Sequence, residues 1–251
     1  MRTYLHRREL EVWYRLAHPN VLPFLGACLT GSAPMILTPL SENGNARSYR
    51  SRNPGADWLK ILSEVTSGVE YLHKEAKIVH GDLKGANILI KFQASPQIAD
   101  FGLAKMTENI YGHRELIGGT AQWMAPELLD GSGYLTYASD MYALGMTLYE
   151  LWYNKDPFEL LEPDLVQEMV LEEELRPERD SSPAIGDELW SAIEGCWPTN
   201  QESRLTASTV VDLLKGFAGT SFSASEITLL CRFPPDLADV VVVVAQATRP
   251  R

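Results

Sequence analysis

His80-Gly81-Asp82-Leu83-Lys84-Gly85-Ala86-Asn87, followed at once by Ile88-Leu89-Ile90, is the stretch on which the fold turns. It sets an Asp, a Lys two residues later and an Asn five residues later against an apolar run of strand character. Eighteen positions after Asp82 stands Asp100-Phe101-Gly102, and further on Ala125-Pro126-Glu127. Taken singly, each of these residues reads as an ordinary polar group of a loop. Taken jointly, a carboxylate, a cation and two further oxygen donors at fixed offsets make a poor accident.

In this order and spacing the three motifs resemble the catalytic loop, the metal-binding turn and the activation-segment end of eukaryotic protein kinases. The resemblance covers the chain from Arg8 to Phe217. It implies an α+β class: a protein-kinase-like bilobal fold with a truncated small β lobe and a nearly complete helical large lobe. Residues 1–42 would form the small lobe, 43–218 the large lobe, and 219–251 a disordered tail. ATP and Mg2+ are the implied cofactors, and a protein is the implied substrate.

Phosphoryl transfer asks a protein mainly for positioning and charge stabilisation. By the resemblance, Asp82 would accept or orient the proton of the attacking hydroxyl, and Lys84 would clamp the transferred phosphate. Asn87 and Asp100 would hold magnesium, a hard ion that takes oxygen ligands. The adenine would bond to the Pro39 carbonyl and the Ser41 amide, behind Thr38 at the gatekeeper position, with Leu89 as its floor. A proline suits the first of these places because only its carbonyl is used.

Composition bounds the remaining classes. The chain has 251 residues, 45% of them hydrophobic, enough for a sizeable core. Its net charge of −11 is local: Asp156 to Glu194 holds 13 acidic and two basic residues, and the rest carries 20 of each. That segment reads as a solvated face, with a docking surface for a basic protein partner as the second reading. No basic stripe is left to meet phosphates, which disfavours nucleic acid. Cys28, Cys196 and Cys231 include no CxxC pair, so neither a disulfide framework nor zinc is implied. The start lacks the apolar core of a signal peptide. The longest apolar run, Val240 to Ala245, is too short for a bilayer. A cytoplasmic protein without membrane contact is the expectation.

Along the chain, Leu10, Trp13 and Leu16 recur at helical spacing from Arg8 to Ala17, and His18-Pro19-Asn20 ends that helix. It resembles the regulatory helix of the small lobe, with Glu9 as its matching Glu and Trp13 one turn on, facing the core. Val21 to Leu29 and Met35 to Leu40 read as two strands around Gly31-Ser32. The family's Gly-rich strand pair and its Lys-bearing strand have no counterpart before Glu9, and no GxGxxG occurs anywhere. Leu10, Trp13 and Phe24 are therefore expected to lie uncovered. In the large lobe, Asp57 caps a helix carrying Trp58, Leu62, Val65, Val69 and Leu72 on one face. Ser139 to Trp152 reads as a buried helix whose Asp140 would brace the catalytic loop from below. Leu165 to Glu174, Asp187 to Cys196 and Ala207 to Phe217 are further helices. His80 and Phe101 match the stack that links the lobes, and Arg204 matches the Arg that pairs with Glu127. Pro234-Pro235 and scattered Ser and Thr mark the tail, whose valine run has a strand on the small-lobe sheet as a second reading.

Lys84, and Gly118-Gly119-Thr120 ahead of Trp123-Met124, resemble Ser/Thr kinases; Thr120 matches the Thr that contacts the catalytic Asp and Lys. With Cys196-Trp197 and His18-Pro19-Asn20-Val21-Leu22, the pattern is similar to the tyrosine-kinase-like group. Gly81 departs from it, since the Arg that commonly receives an activation-loop phosphate is gone. Two functions stand: an ATP-dependent Ser/Thr protein kinase domain, weak or inactive as given, or a non-catalytic, pseudokinase-like interaction module.

Overall fold

The computed structural model describes residues 10–28, 35–106, 120–181, 183–218 and 242–243. Expectations that rest on Glu9, Gly31, Ser32, Gly118, Gly119, Cys231 or the rest of the tail lie outside the described residues.

Short apolar segments too small to stand alone are held here by two long buried helices. Asn45 caps the first helix, α1 (Ala46–Arg52), by accepting the Ser48 N–H. Asp57 does the same for α2 (Trp58–Tyr71) through the Lys60 N–H, at 3.0 Å. Trp58, Ile61, Leu62, Val65 and Val69 of α2 are all buried, as the apolar stripe requires. Its end widens into a π turn (Leu72–Ala76), which Lys77 closes in the left-handed region at φ 58°. That exit aims the chain into β3 (Ile78–Val79) and the His80 loop.

After the loop, β4 (Ile88–Ile90) and β5 (Pro96–Ile98) pair antiparallel, and β6 (Lys105–Met106) returns to pair with β3. The short α3 (Pro126–Leu129) precedes α4 (Tyr137–Tyr153), which starts with a reciprocal Thr136–Ser139 capping box. Nearly every residue of α4 is buried, so it is the central post of the lobe. Of the later helices, α5 (Pro163–Glu172) lies on α3 and the turn at residues 121–123, α6 (Asp187–Glu194) packs against α4, and α7 (Ala207–Ala218) packs on α6 and along α2.

The small lobe is slighter. Residues 10–13 form a helical turn. β1 (Gly26–Cys28) and β2 (Met35–Leu37) pair antiparallel, and β7 (Val242–Val243) lies on the other edge of β2. The tail thus holds a paired segment within a stretch whose composition reads as disordered; β-branched residues suit an open sheet edge.

Among the described residues, the strand expected from Val21 to Leu29 forms over Gly26–Cys28 and not over residues 21–25. Its first half is taken by the large lobe: the Ile98 N–H donates to Asn20 O at 2.9 Å and the Leu22 N–H to Ile98 O at 2.8 Å. Pro23 has no N–H to carry the ladder on. The expectation that Trp13 is uncovered is also corrected. It is 5% exposed, because its ring sits between Phe24 (5.8 Å) and Phe101 (5.5 Å) and its indole N–H donates to Leu22 O. Leu10 and Phe24 are partly buried.

Candidate active site

Asp140 organises the loop from the top of α4. Its Oδ2 accepts the His80 N–H at 2.7 Å and lies 2.9 Å from His73 Nε2; its Oδ1 accepts the Gly81 N–H at 2.9 Å. Three contacts satisfy a carboxylate that is 1% exposed, and without them its burial would be costly. Gly81 sits at φ +83°, where an added Cβ would stand 3.0 Å from Leu135 Cδ1 and 3.2 Å from Leu103 O. His80 accepts the Asp82 N–H at Nδ1 and faces Ala99 O with Nε2 at 3.0 Å. One acceptor and one donor describe the neutral ring protonated at Nε2.

With the backbone so fixed, three of the nominated side chains meet. Asp82 Oδ2 accepts from Lys84 Nζ and from Asn87 Nδ2, both at 2.8 Å. Asn87 Nδ2 also donates to the Asp82 carbonyl at 2.8 Å, while Lys84 Nζ reaches Thr120 Oγ1 at 3.1 Å. Among the described residues no donor is bonded to Asp82 Oδ1, and none to Asn87 Oδ1. Asp100 stands apart from this cluster. It is exposed, at φ +64°, and among the described residues its Oδ1 accepts only the Gly102 N–H, at 3.3 Å. A non-glycine residue held in that region is an uncommon conformation that clusters at functional sites. The Ala99 N–H donating to Asn87 O at 2.8 Å ties the two segments together.

The described residues hold no group of three or more His, Cys, Asp or Glu able to cage a metal. Magnesium does not ask for one: it takes one or two protein oxygens and fills its shell with water and substrate phosphates. The free Asn87 Oδ1 and the exposed Asp100 carboxylate are hard donors of that kind, so the residues present fit the ion.

Pro39 and Ser41 lie in the connection from β2 to α1. The connection is tied to β4 by Asn43 N–H to Ile90 O (3.2 Å) and Ile90 N–H to Gly44 O (2.8 Å). Among the described residues the Pro39 carbonyl and Ser41 N–H have no backbone partner, so an acceptor and a donor remain available there. Leu89, on β4 beside this connection, is partly buried. Below the site, the rings of Phe24, Trp13, Phe101 and His80 touch in series, His80 meeting Phe101 edge-on at 5.3 Å.

The family model of the protein kinase domain matches residues 3–213. This chain belongs to that family. Among its relatives are the serine/threonine/tyrosine-protein kinase HT1 and the serine/threonine-protein kinase CTR1 of Arabidopsis thaliana. Each is 30% identical, over 84% and 83% of this chain. The dual specificity protein kinase shkD of Dictyostelium discoideum is 28% identical over 82%. These plant and Dictyostelium proteins are kinases of the tyrosine-kinase-like type that the sequence resembles. The kinase domain described here spans 54%, 26% and 28% of their respective lengths.

Two buried charged residues on the helices that carry the kinase site gave no sign in the sequence. Arg50, buried on α1, donates to the carbonyls of Leu151 (2.8 Å) and Trp152 (2.9 Å), where the negative end of α4 favours a cation. Glu150 underlies Lys84 from α4. An Arg in a short polar helix and a Glu in an apolar one give no signal by themselves.

Proposed function

We propose that this kinase domain transfers the terminal phosphoryl group of ATP to serine or threonine hydroxyls of a protein. The observation that carries the reading is Lys84, whose amine joins Asp82 at 2.8 Å to Thr120 at 3.1 Å. With Asp82 Oδ2 committed to Lys84 and Asn87, Oδ1 is the oxygen free to orient the attacking hydroxyl and take its proton. Lys84 orients the Asp82 carboxylate through their 2.8 Å contact and presents positive charge where phosphate charge spreads in the transition state. Asn87 and Asp100 would hold magnesium, which would supply positive charge against the phosphates. The Pro39 carbonyl and Ser41 amide would receive the adenine over Leu89. No GxGxxG covers the phosphates in this sequence, so slow turnover is expected of the isolated chain.

The test is transfer from Mg-ATP to Ser, Thr and Tyr peptide pools. The reading expects label on Ser and Thr that falls to background in Asp82→Asn. Nucleotide binding with no Asp82-dependent transfer would instead favour a non-catalytic interaction module.

A further inference from the structure

Glu150 is a buried acid that the reaction as described does not use. It lies on α4, 2% exposed, and one of its oxygens does two things. Oε2 accepts the Gly85 N–H at 2.8 Å and the Trp123 indole N–H at 3.0 Å. Oε1 has no hydrogen-bond partner. The loop reaches this carboxylate only because residue 85 is glycine: an added Cβ would stand 2.5 Å from Oε1 and 2.9 Å from Cδ.

These contacts close a ring. From Lys84 the backbone passes to Gly85, whose N–H meets Glu150 Oε2; the same oxygen takes the indole of Trp123. Three residues before Trp123, Thr120 returns through Oγ1 to Lys84 Nζ. Lys84 is thereby held at both its backbone and its amine, and Glu150 is the only member of the ring on the rigid central helix. The charged groups around it are few. Arg47 of α1 and Asp156 after α4 act on it with opposite signs, and they bond to each other at 2.8 Å. Arg50 of α1 turns its guanidinium to the carbonyls of Leu151 and Trp152. Lys84, from the loop, points to Asp82 and Thr120, and the turn Ala121–Trp123 has no ionisable side chain.

We propose that Glu150 is a positioning residue whose ionised carboxylate locks Lys84 and Thr120 in one geometry, and whose protonation loosens that lock. An ionised acceptor makes hydrogen bonds about twice as strong as a neutral one. The neutral acid would carry its proton on Oε1, where no acceptor waits. Burial opposes the charge and pushes the Glu150 pKa up to about 7, while the Gly85 and Trp123 bonds pull it down. Both forms are therefore populated near neutral pH. The consequence for turnover rests on the phosphotransfer reading; the lock itself does not.

The experiment is amide and indole NMR on the full chain as a function of pH. Expected in the wild type is one shared midpoint, near 7, for the Trp123 indole N–H and the Gly85 amide, with Trp123→Phe identifying the indole signal. Glu150→Gln should leave both flat. A Trp123 indole that does not titrate, or that titrates equally in Glu150→Gln, overturns the proposal. Should Glu150→Gln fail to fold, Trp123→Phe decides: the Gly85 amide must still titrate there, and a flat Gly85 overturns the lock. In turnover assays the wild type should lose roughly tenfold on its acidic limb, the scale of one such bond. Glu150→Gln should lack that limb. Complete absence of Asp82-dependent turnover counts against the phosphotransfer reading, and the NMR midpoints then judge the lock alone.

Discussion

Arg204 grips Glu127 through two parallel hydrogen bonds of 2.8 Å across 77 residues of chain, with 1% and 8% of the two side chains exposed. Arg204 also donates to the carbonyls of Ala138 and Pro198, both at 2.9 Å. One guanidinium thus fastens α3, the start of α4 and the segment before α7. The two-pronged geometry is one that arginine alone provides.

Breaking a buried pair from one side leaves an uncompensated charge, at about 3–5 kcal/mol. Arg204→Ala should lose stability on that scale in urea denaturation. Arg204→Lys keeps the charge but not the fork, and should fall between wild type and Ala. A midpoint for Arg204→Ala within error of wild type would refute the account.

Nucleotide should be held weakly and through the metal. We expect Mg-ATP to raise the thermal midpoint slightly, and Asp100→Ala to abolish that rise. A large rise that survives Asp100→Ala would place the nucleotide elsewhere.

Glu150 makes stability depend on pH. Its folded pKa lies above the usual 4.5, so its contribution is full below about 4.5 and is lost as pH rises through about 7. A neutral Gln has no charge to bury. The stability difference between Glu150→Gln and wild type should therefore move in favour of the variant from pH 5 to pH 8, by an amount on the order of 3 kcal/mol. Denaturation curves at the two pH values measure it; parallel curves would contradict it.

Cys196 packs its Cβ where any side chain at Gly145 would stand, and burial pushes its thiol up to about 12. Since the thiolate is the reactive form, iodoacetamide at pH 8 should leave Cys196 untouched in the native protein and modify it after unfolding. Peptide mass spectrometry reads the outcome, and stoichiometric native labelling would be the contrary result.

Gly81 bears on regulation. In the family resemblance its place belongs to an Arg that receives phosphate, so phosphatase treatment, which would strip Thr107, Tyr111 and Thr120, should leave turnover nearly unchanged. Gly81→Ala should destabilise by roughly 1–2 kcal/mol, because φ +83° penalises a Cβ.

The large lobe was legible because its signals are local and periodic: the Asp57 cap, the stripe along α2, the apolar run of α4. Asp82, Lys84 and Asn87 were legible because their offsets within one loop fix their meeting. The small lobe was not, since Val21 and Leu22 read equally well as part of either sheet, and only the tertiary pairing with Ile98 decides. Glu150 was illegible for a related reason: its role is set by Gly85 and Trp123, which are far from it in sequence. In both cases the deciding partner is a long-range one, which pattern within a window cannot contain.

The pairing of Asn20 and Leu22 with Ile98 has a mechanical consequence. Backbone hydrogen bonds stitch residues 20–22 to the strand that leads into Asp100, and Asn20 Nδ2 adds a bond to Pro96 O at 3.1 Å. This part of the small-lobe chain therefore travels with the large lobe. That ladder ends at Pro23, which has no N–H to extend it. Beyond it β1 pairs with β2 instead, and Phe24, the first residue past Pro23, rests against the Trp13 ring at 5.8 Å.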